Sequence, residues 1–274
     1  MIRRFARNRG AVLGVFVLAL VIAISASADW LFPRDPLRIV GPPELWPMEH
    51  PRFLLGTDSL GRDIAAIMAH GARATLLIGV SACAAATLIG VSIGSVAGYF
   101  DDRRAIAATY VIELFQTIPN LVLVLSVVAI LGPAMRNIIV AIALATWTPI
   151  ARLTRAEFLA LRNQPFVMAC RAIGMGAPRL IAREILPNAL PPVLVFSSLV
   201  VAGAILFESA IAFLGLGDPN RASWGRLIGE GRELIETSWY ICAIPGVAIM
   251  LTVLALNLIG DGLNDALNPK LRER

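Results

Sequence analysis

Lysine is almost missing from this 274-residue chain: the only one is Lys270, near the C-terminal end. A phosphate-cradling loop of the G-x-x-x-x-G-K-[ST] type needs a lysine beside its glycines. None is in place, so the chain has no such nucleotide site, and any use of ATP and magnesium falls to another polypeptide. Histidine is nearly as scarce, with only His50 and His70. Both lie outside the long apolar runs, so no membrane-embedded serine, threonine or cysteine has a histidine base, and no catalytic residue is assigned. The three cysteines, Cys83, Cys170 and Cys242, form no CxxC and no cluster with histidine. That spacing offers neither a disulfide framework nor a metal site and suits small buried hydrophobes. Charge is sparse as well: 16% of residues, against about 25% in soluble proteins.

What fills the space is apolar. Hydrophobic residues make up 57% of the chain, and mean hydropathy is +0.75. A soluble domain of this size could not bury that much apolar surface, so the composition indicates an all-α integral membrane protein. The net charge of +5 comes from arginines in the gaps between apolar runs. No basic stripe with interleaved aromatics exists, which excludes a nucleic-acid partner and leaves membrane lipid as the surroundings.

Weakly charged runs predict six transmembrane helices, since a crossing needs about 20 residues. They cover residues 11–28, 74–100, 105–135 with an interruption at Glu113 and an end near Gly132, 137–151 with an extension past Arg152 left open, 188–207 running on toward Phe213, and 237–260. The first run follows four arginines and ends in "ASADW", which also fits a cleaved signal segment. Its length favours a retained helix. With the N-terminus inside, inner segments hold fifteen arginines and lysines and outer segments nine. The positive-inside rule then puts both termini in the cytoplasm and the loop 29–73 outside. The second run carries Ala82, Ala86, Gly90, Gly94 and Gly98 at four-residue spacing. Such a stripe lets helices approach closely, within one subunit or between two.

Glu113 and Glu208 are the acids inside predicted spans, and Pro119 should break or kink the third. An acid beside a helix break can be an ion site or can pair with a neighbouring helix. Residues 166–188, "FVMACRAIGMGAPRLIAREILPN", are too charged to cross a bilayer. Pro165 suits a helix start and Asn163 a cap. Phe166, Ala169, Cys170 and Ile173 share one face, Arg171 points elsewhere, and Gly174 and Gly176 end the helix. A second short helix from Pro178 to Leu186 follows, and Pro187, Pro191 and Pro192 mark a turn into the fifth span. An amphipathic helix of this kind seats in a groove on another protein or lies flat on lipid.

This segment resembles the EAA loop of bacterial ABC-importer permeases. Met168, Ala169 and Cys170 stand at the Glu-Ala-Ala positions, Gly174 at the glycine and Leu186-Pro187 at the closing Leu-Pro. Met168 and Cys170 depart from the pattern, which removes the salt bridge a glutamate would offer an ATPase. Further motifs follow in order: "LGTDSLGRD" from Leu55, "ELFQTIP" from Glu113, "ILFESAIAFLGLG" from Ile205, "SWG" from Ser223 and "NLIGDGLNDALNP" from Asn257. Together they are similar to the C-type permeases of peptide and nickel importers. The resemblance implies a type I importer (MetI-like) fold with an N-terminal helix and outer loop over 1–73. A core domain over 74–269 would contain the cytoplasmic loop 158–188, and 270–274 would form a tail. It implies a bacterial inner-membrane location, a homologous second permease, two cytoplasmic ATPases that bind ATP and magnesium, and an external solute-binding protein. Phe166, Met168, Ala169, Cys170, Arg171, Ile173, Gly174, Leu186 and Pro187 would couple to an ATPase. Thr57, Asp58, Gly61, Arg62 and Asp63 would face the binding protein or, on the residues alone, form a turn and helix start. The rival function is a stand-alone secondary carrier or channel.

Overall fold

The computed structural model describes residues 5–267. The expected tail at 270–274 and the last residues of the 257–269 motif lie outside them. Helices dominate the described residues, with α1 Arg9–Leu31, α2 Ile64–Tyr99, α3 Arg103–Gln116, α4 Asn120–Leu131, α5 Met135–Leu161 and α6 Pro165–Ala172. α7 Ala177–Leu180 passes through a π-helical turn, Ile181–Ile185, into α8 Leu186–Phe213, followed by α9 Trp224–Gly231 and α10 Tyr240–Leu267. Among the described residues the loop 32–63 makes only isolated β-bridges. Five helical stretches are long and apolar enough to cross a membrane, and α3 with α4 makes a sixth if the bent pair counts as one span.

Asparagine and aspartate set three of the starts. The side chains of Asn8, Asp63 and Asp102 accept from the N–H groups of Ala11, Ala65 and Arg104, satisfying donors that a helix start leaves free. The third predicted span is broken as Pro119 requires: α3 ends at Gln116, α4 begins at Asn120, and their axes differ by 86°. Two expectations are corrected, and one left open is decided. α2 starts ten residues before position 74 and passes straight through the proposed 73/74 division. α5 takes the extension past Arg152 that the sequence left open, running to Leu161 with Pro149 inside it. The prolines at 187, 191 and 192 do not make a turn; the helix runs through all three. In lipid a helix is the local way to satisfy backbone groups, so prolines are carried within it at the loss of single bonds.

The small-residue stripe of α2 is spent inside this chain. A Cβ added at Gly90 would lie 2.8 Å from Ile150 Cβ and from the Trp147 carbonyl. One at Gly98 would lie 2.6 Å from Phe158 Cβ. α5 therefore packs backbone-close along α2, where dispersion between near surfaces replaces the hydrophobic drive that lipid cannot supply. Ile78, Val124, Ile142 and Ile211 join α2, α4, α5 and α8 in one buried cluster. Phe115 meets Trp147 edge-on at 5.3 Å. α1 lies against α10 near its start and is pinned to α2 near its end. There Arg73 reaches Asp29 at 2.9 Å, and His70 contacts the Phe32 carbonyl at 3.0 Å.

Candidate functional site

At one end of the bundle, α6 hangs below α5 and α8. Pro165 occupies its first turn, and Gln164, not Asn163, takes the cap position without a side-chain bond. Its last turn closes as a Schellman motif. Gly174 N–H donates to Arg171 at 2.9 Å and Met175 N–H to Cys170 at 3.1 Å, with Gly174 at φ +83°. A side chain at Gly174 would meet nothing within 4 Å, so its backbone conformation alone calls for glycine.

Val167, missed by the sequence reading, anchors the helix. It is fully buried with Phe158, Leu180, Ile185 and Ala189. Cys170 packs partly against the same cluster, which corrects its place on the free face. The signal was available: Val167 and Cys170 are three apart and form a second apolar stripe. Phe166, Met168, Ala169 and Ile173 stay uncovered, Ile173 at 80%. Arg171 is exposed, with its guanidinium 5.4 Å from the centre of the Tyr99 ring. Leu186 is partly covered, and Pro187 is exposed at the start of α8. The result is a short helix nailed by one face and offering an apolar one.

At the other end, the 55–63 motif turns inward. Thr57 is fully buried; its hydroxyl donates to the Pro42 carbonyl at 2.7 Å and accepts from Leu45 N–H at 2.9 Å. Asp58, at 0% exposure, accepts from the N–H groups of Leu60 and Arg62. Arg62, at 3%, pairs with both Asp58 and Glu230. Burial opposes the Arg62 charge, and the carboxylates of Asp58 and Glu230 outweigh it, holding the guanidinium above its ordinary value. Arg226 completes the network with a 2.8 Å contact to Glu230. Gly61, at φ +79°, lets the turn lie against the backbone of Gly41. Asp63 is partly buried, which raises its carboxyl, and it caps α2. The outward-facing expectation is corrected for Thr57, Asp58 and Arg62, which are buried as in the turn-and-helix-start alternative: Thr57 and Asp58 brace the loop from within, Arg62 ties it to α9 through Glu230, and Tyr240 donates to the Leu45 carbonyl at 2.9 Å. Exposed side chains at this end include the apolar Met48, Leu54, Leu60 and Trp239 beside charged ones such as Arg38, Glu49 and Arg52.

The two acids divide. Glu208 is 3% exposed, with the Thr75 hydroxyl at 3.3 Å and the Ser209 hydroxyl at 3.4 Å. It joins α8 to α2. Glu208→Gln keeps an acceptor and should leave thermal stability near wild type. Glu208→Leu orphans buried hydroxyls and should lower it by about 1–3 kcal/mol, measured by melting of the purified complex. Glu113 is exposed, beside Asp101, Tyr110 and Arg155 in a cleft of about 390 Å³ between α3 and α5.

Comparison with known proteins bears on this arrangement. The family model described as binding-protein-dependent transport system inner membrane component matches residues 90–273. That of the N-terminal TM domain of oligopeptide transport permease C matches residues 1–43. The chain is 39% identical to the di/tripeptide transport system permease protein DppC of Pseudomonas aeruginosa, covering 98% of this chain and 90% of that one. It is 38% identical to the dipeptide transport system permease protein DppC of Escherichia coli K12, over 98% and 92%. Its fold is similar to a chain in an inward-facing structure of the MetNI methionine ABC transporter, at TM-score 0.60 and 18% identity, over 74% of this chain and 96% of that one. With its buried helical bundle and its suspended α6, the chain belongs to the binding-protein-dependent inner-membrane permeases of ABC importers.

Proposed function

We propose that this chain forms half of a pathway for short peptides, with a second, homologous permease forming the other half. Two cytoplasmic ATPases bind the ATP and magnesium, and an external binding protein delivers the solute. Both termini lie in the cytoplasm, which the arginine bias supports. α6 then points into the cytoplasm and the loop 32–63 points out.

The observation that carries the reading is α6. Val167 locks it to the ends of α5 and α8 while Phe166, Ala169 and Ile173 stand free. Its uncovered face seats in a groove of one ATPase. When nucleotide closes the ATPase pair, the helix moves, and the continuous run from Ala177 to Phe213 carries that motion across the membrane as a rigid body. The two membrane states exchange because the ATPases bind them with different affinities. The peptide class comes from the curated relatives.

Gly174→Val forces a β-branched residue into a left-handed conformation, a strain of about 1–2 kcal/mol. In proteoliposomes holding the whole complex, peptide uptake should fall roughly tenfold while basal ATP hydrolysis remains. Unchanged uptake would remove α6 from the mechanism. Ile173→Asp puts a charge on the docking face and should release the ATPase during purification.

A further inference from the structure

Two cavities adjoin at the end of the bundle that carries the 32–63 loop. The first, about 300 Å³, is apolar: Val21 and Ile24 of α1, Ala69 and Ala72 of α2 and Ala248 of α10 line it, with Trp224 at its rim. It lies beside the last turns of α1, where Val21 packs against the cluster of Ala72, Trp224 and Ile249. Ala11 and Gly14 are buried near the start of that helix and Ser25 and Ala28 near its finish. The second, about 480 Å³, is lined by Arg34, Arg38 and Arg52 together with Val40 and Phe53. Phe32 lines both, and Ala65 of one adjoins Ala66 of the other.

Charge in the second cavity is unbalanced. Asp35 and Asp63 face it as well, each carboxylate accepting from backbone, Leu37 N–H and Ala65 N–H at 2.9 Å, so three guanidinium groups stand against two carboxylates. Arg34, Arg38 and Arg52 form no ion pair among the described residues. Arg52 acts on the Asp63 charge without pairing with it. Depth is marked by Trp30, 86% exposed in the last turn of α1, where an aromatic belongs at the boundary of hydrocarbon and headgroups. Arg34 and Arg38 follow directly, at headgroup level.

We infer that this pair of cavities is a site for an anionic phospholipid, one acyl chain lying between α1, α2 and α10 and the phosphate held by Arg34, Arg38 and Arg52. A guanidinium matches phosphate oxygens in geometry and charge, and a basic pocket above an apolar crevice selects a lipid over a free anion. The lipid fills the crevice beside the end of α1 and adds to the contacts that already hold that helix to the bundle.

The test uses the purified permease–ATPase complex, delipidated and incubated with dioleoylphosphatidylglycerol or dioleoylphosphatidylcholine, with retained lipid read by native mass spectrometry. Wild type should retain the glycerol lipid over the choline lipid. Removing arginines singly and together in Arg34→Ala, Arg38→Ala and Arg52→Ala should weaken retention about fivefold for each one lost. Replacement of all three by lysine should restore much of it. Ala248→Leu narrows the crevice and should lower retention with the arginines intact; co-purification with the ATPase checks folding in each variant. Equal retention of both lipids, or full retention by the triple alanine variant, overturns the site. Loss in the arginine variants with none in Ala248→Leu also overturns it, since that marks a simple anion site.

Discussion

Arg62→Ala is expected to destabilise the junction between the 32–63 loop and α9 by about 3–5 kcal/mol, the usual result of leaving a buried carboxylate without its partner. Asp58 is the reason. Its side chain is fully buried, and Arg62 is its paired cation, so truncation strands a charge that water cannot reach. Glu230 is less affected, because it is partly exposed and retains Arg226 at 2.8 Å. Against a total folding stability of about 5–15 kcal/mol for a typical domain, the loss is large. It should appear as a lowered melting temperature of the purified complex and faster proteolysis within residues 32–63. A double variant, Arg62→Met with Asp58→Asn, removes both charges and should recover most of the deficit, because replacing a buried pair by neutral groups costs far less than breaking it. A single alanine variant that melts with the wild type would show that the pair does not hold the loop.

The second large effect belongs to the seam between α2 and α5. Gly98→Leu should abolish accumulation of the chain in the membrane. A Cβ there already meets Phe158 Cβ at 2.6 Å and the Arg155 carbonyl at 2.7 Å, before any further atoms are added. Overpacking commonly costs about 1–3 kcal/mol where side chains can shift. Here one neighbour is backbone, so the helices must separate along their length. Gly98→Ala should be intermediate, and Gly203→Leu, where a Cβ meets nothing within 4 Å, serves as the control with normal accumulation. Membrane levels by immunoblot and gel filtration of the complex read the series. Normal levels of Gly98→Leu would mean that α2 and α5 do not pack this closely.

Several of these features were legible in sequence. The spans follow from long apolar runs, and Pro119 announced the break it makes. Gly174 and Pro165 marked the ends of α6 by local chemistry alone. The misses have a common physical cause. Arg73 interrupts hydropathy but not helix formation, so α2 starts earlier than polarity suggests, just as α5 runs on past Arg152. Pro187, Pro191 and Pro192 read as breakers locally, and the need to satisfy backbone in lipid outweighs them. Arg62 and Glu230 are 168 residues apart, and no local pattern announces a pair that only the folded chain creates. For the same reason the "TDSLGRD" motif reads equally as a surface or as a knot of buried bonds.

The bend at Pro119 has a consequence for how this polypeptide can exist in a bilayer. α3 and α4 are only about 21 and 18 Å long, each short of the roughly 30 Å hydrocarbon thickness. α4 opens without a side-chain cap, so its first amides point out unclaimed, and residues 117–120 are uncovered by the rest of the chain. Oil does not solvate amides. Either moisture penetrates to that depth or a neighbouring polypeptide shields the elbow, so a solitary copy sealed in lipid is an unfinished object.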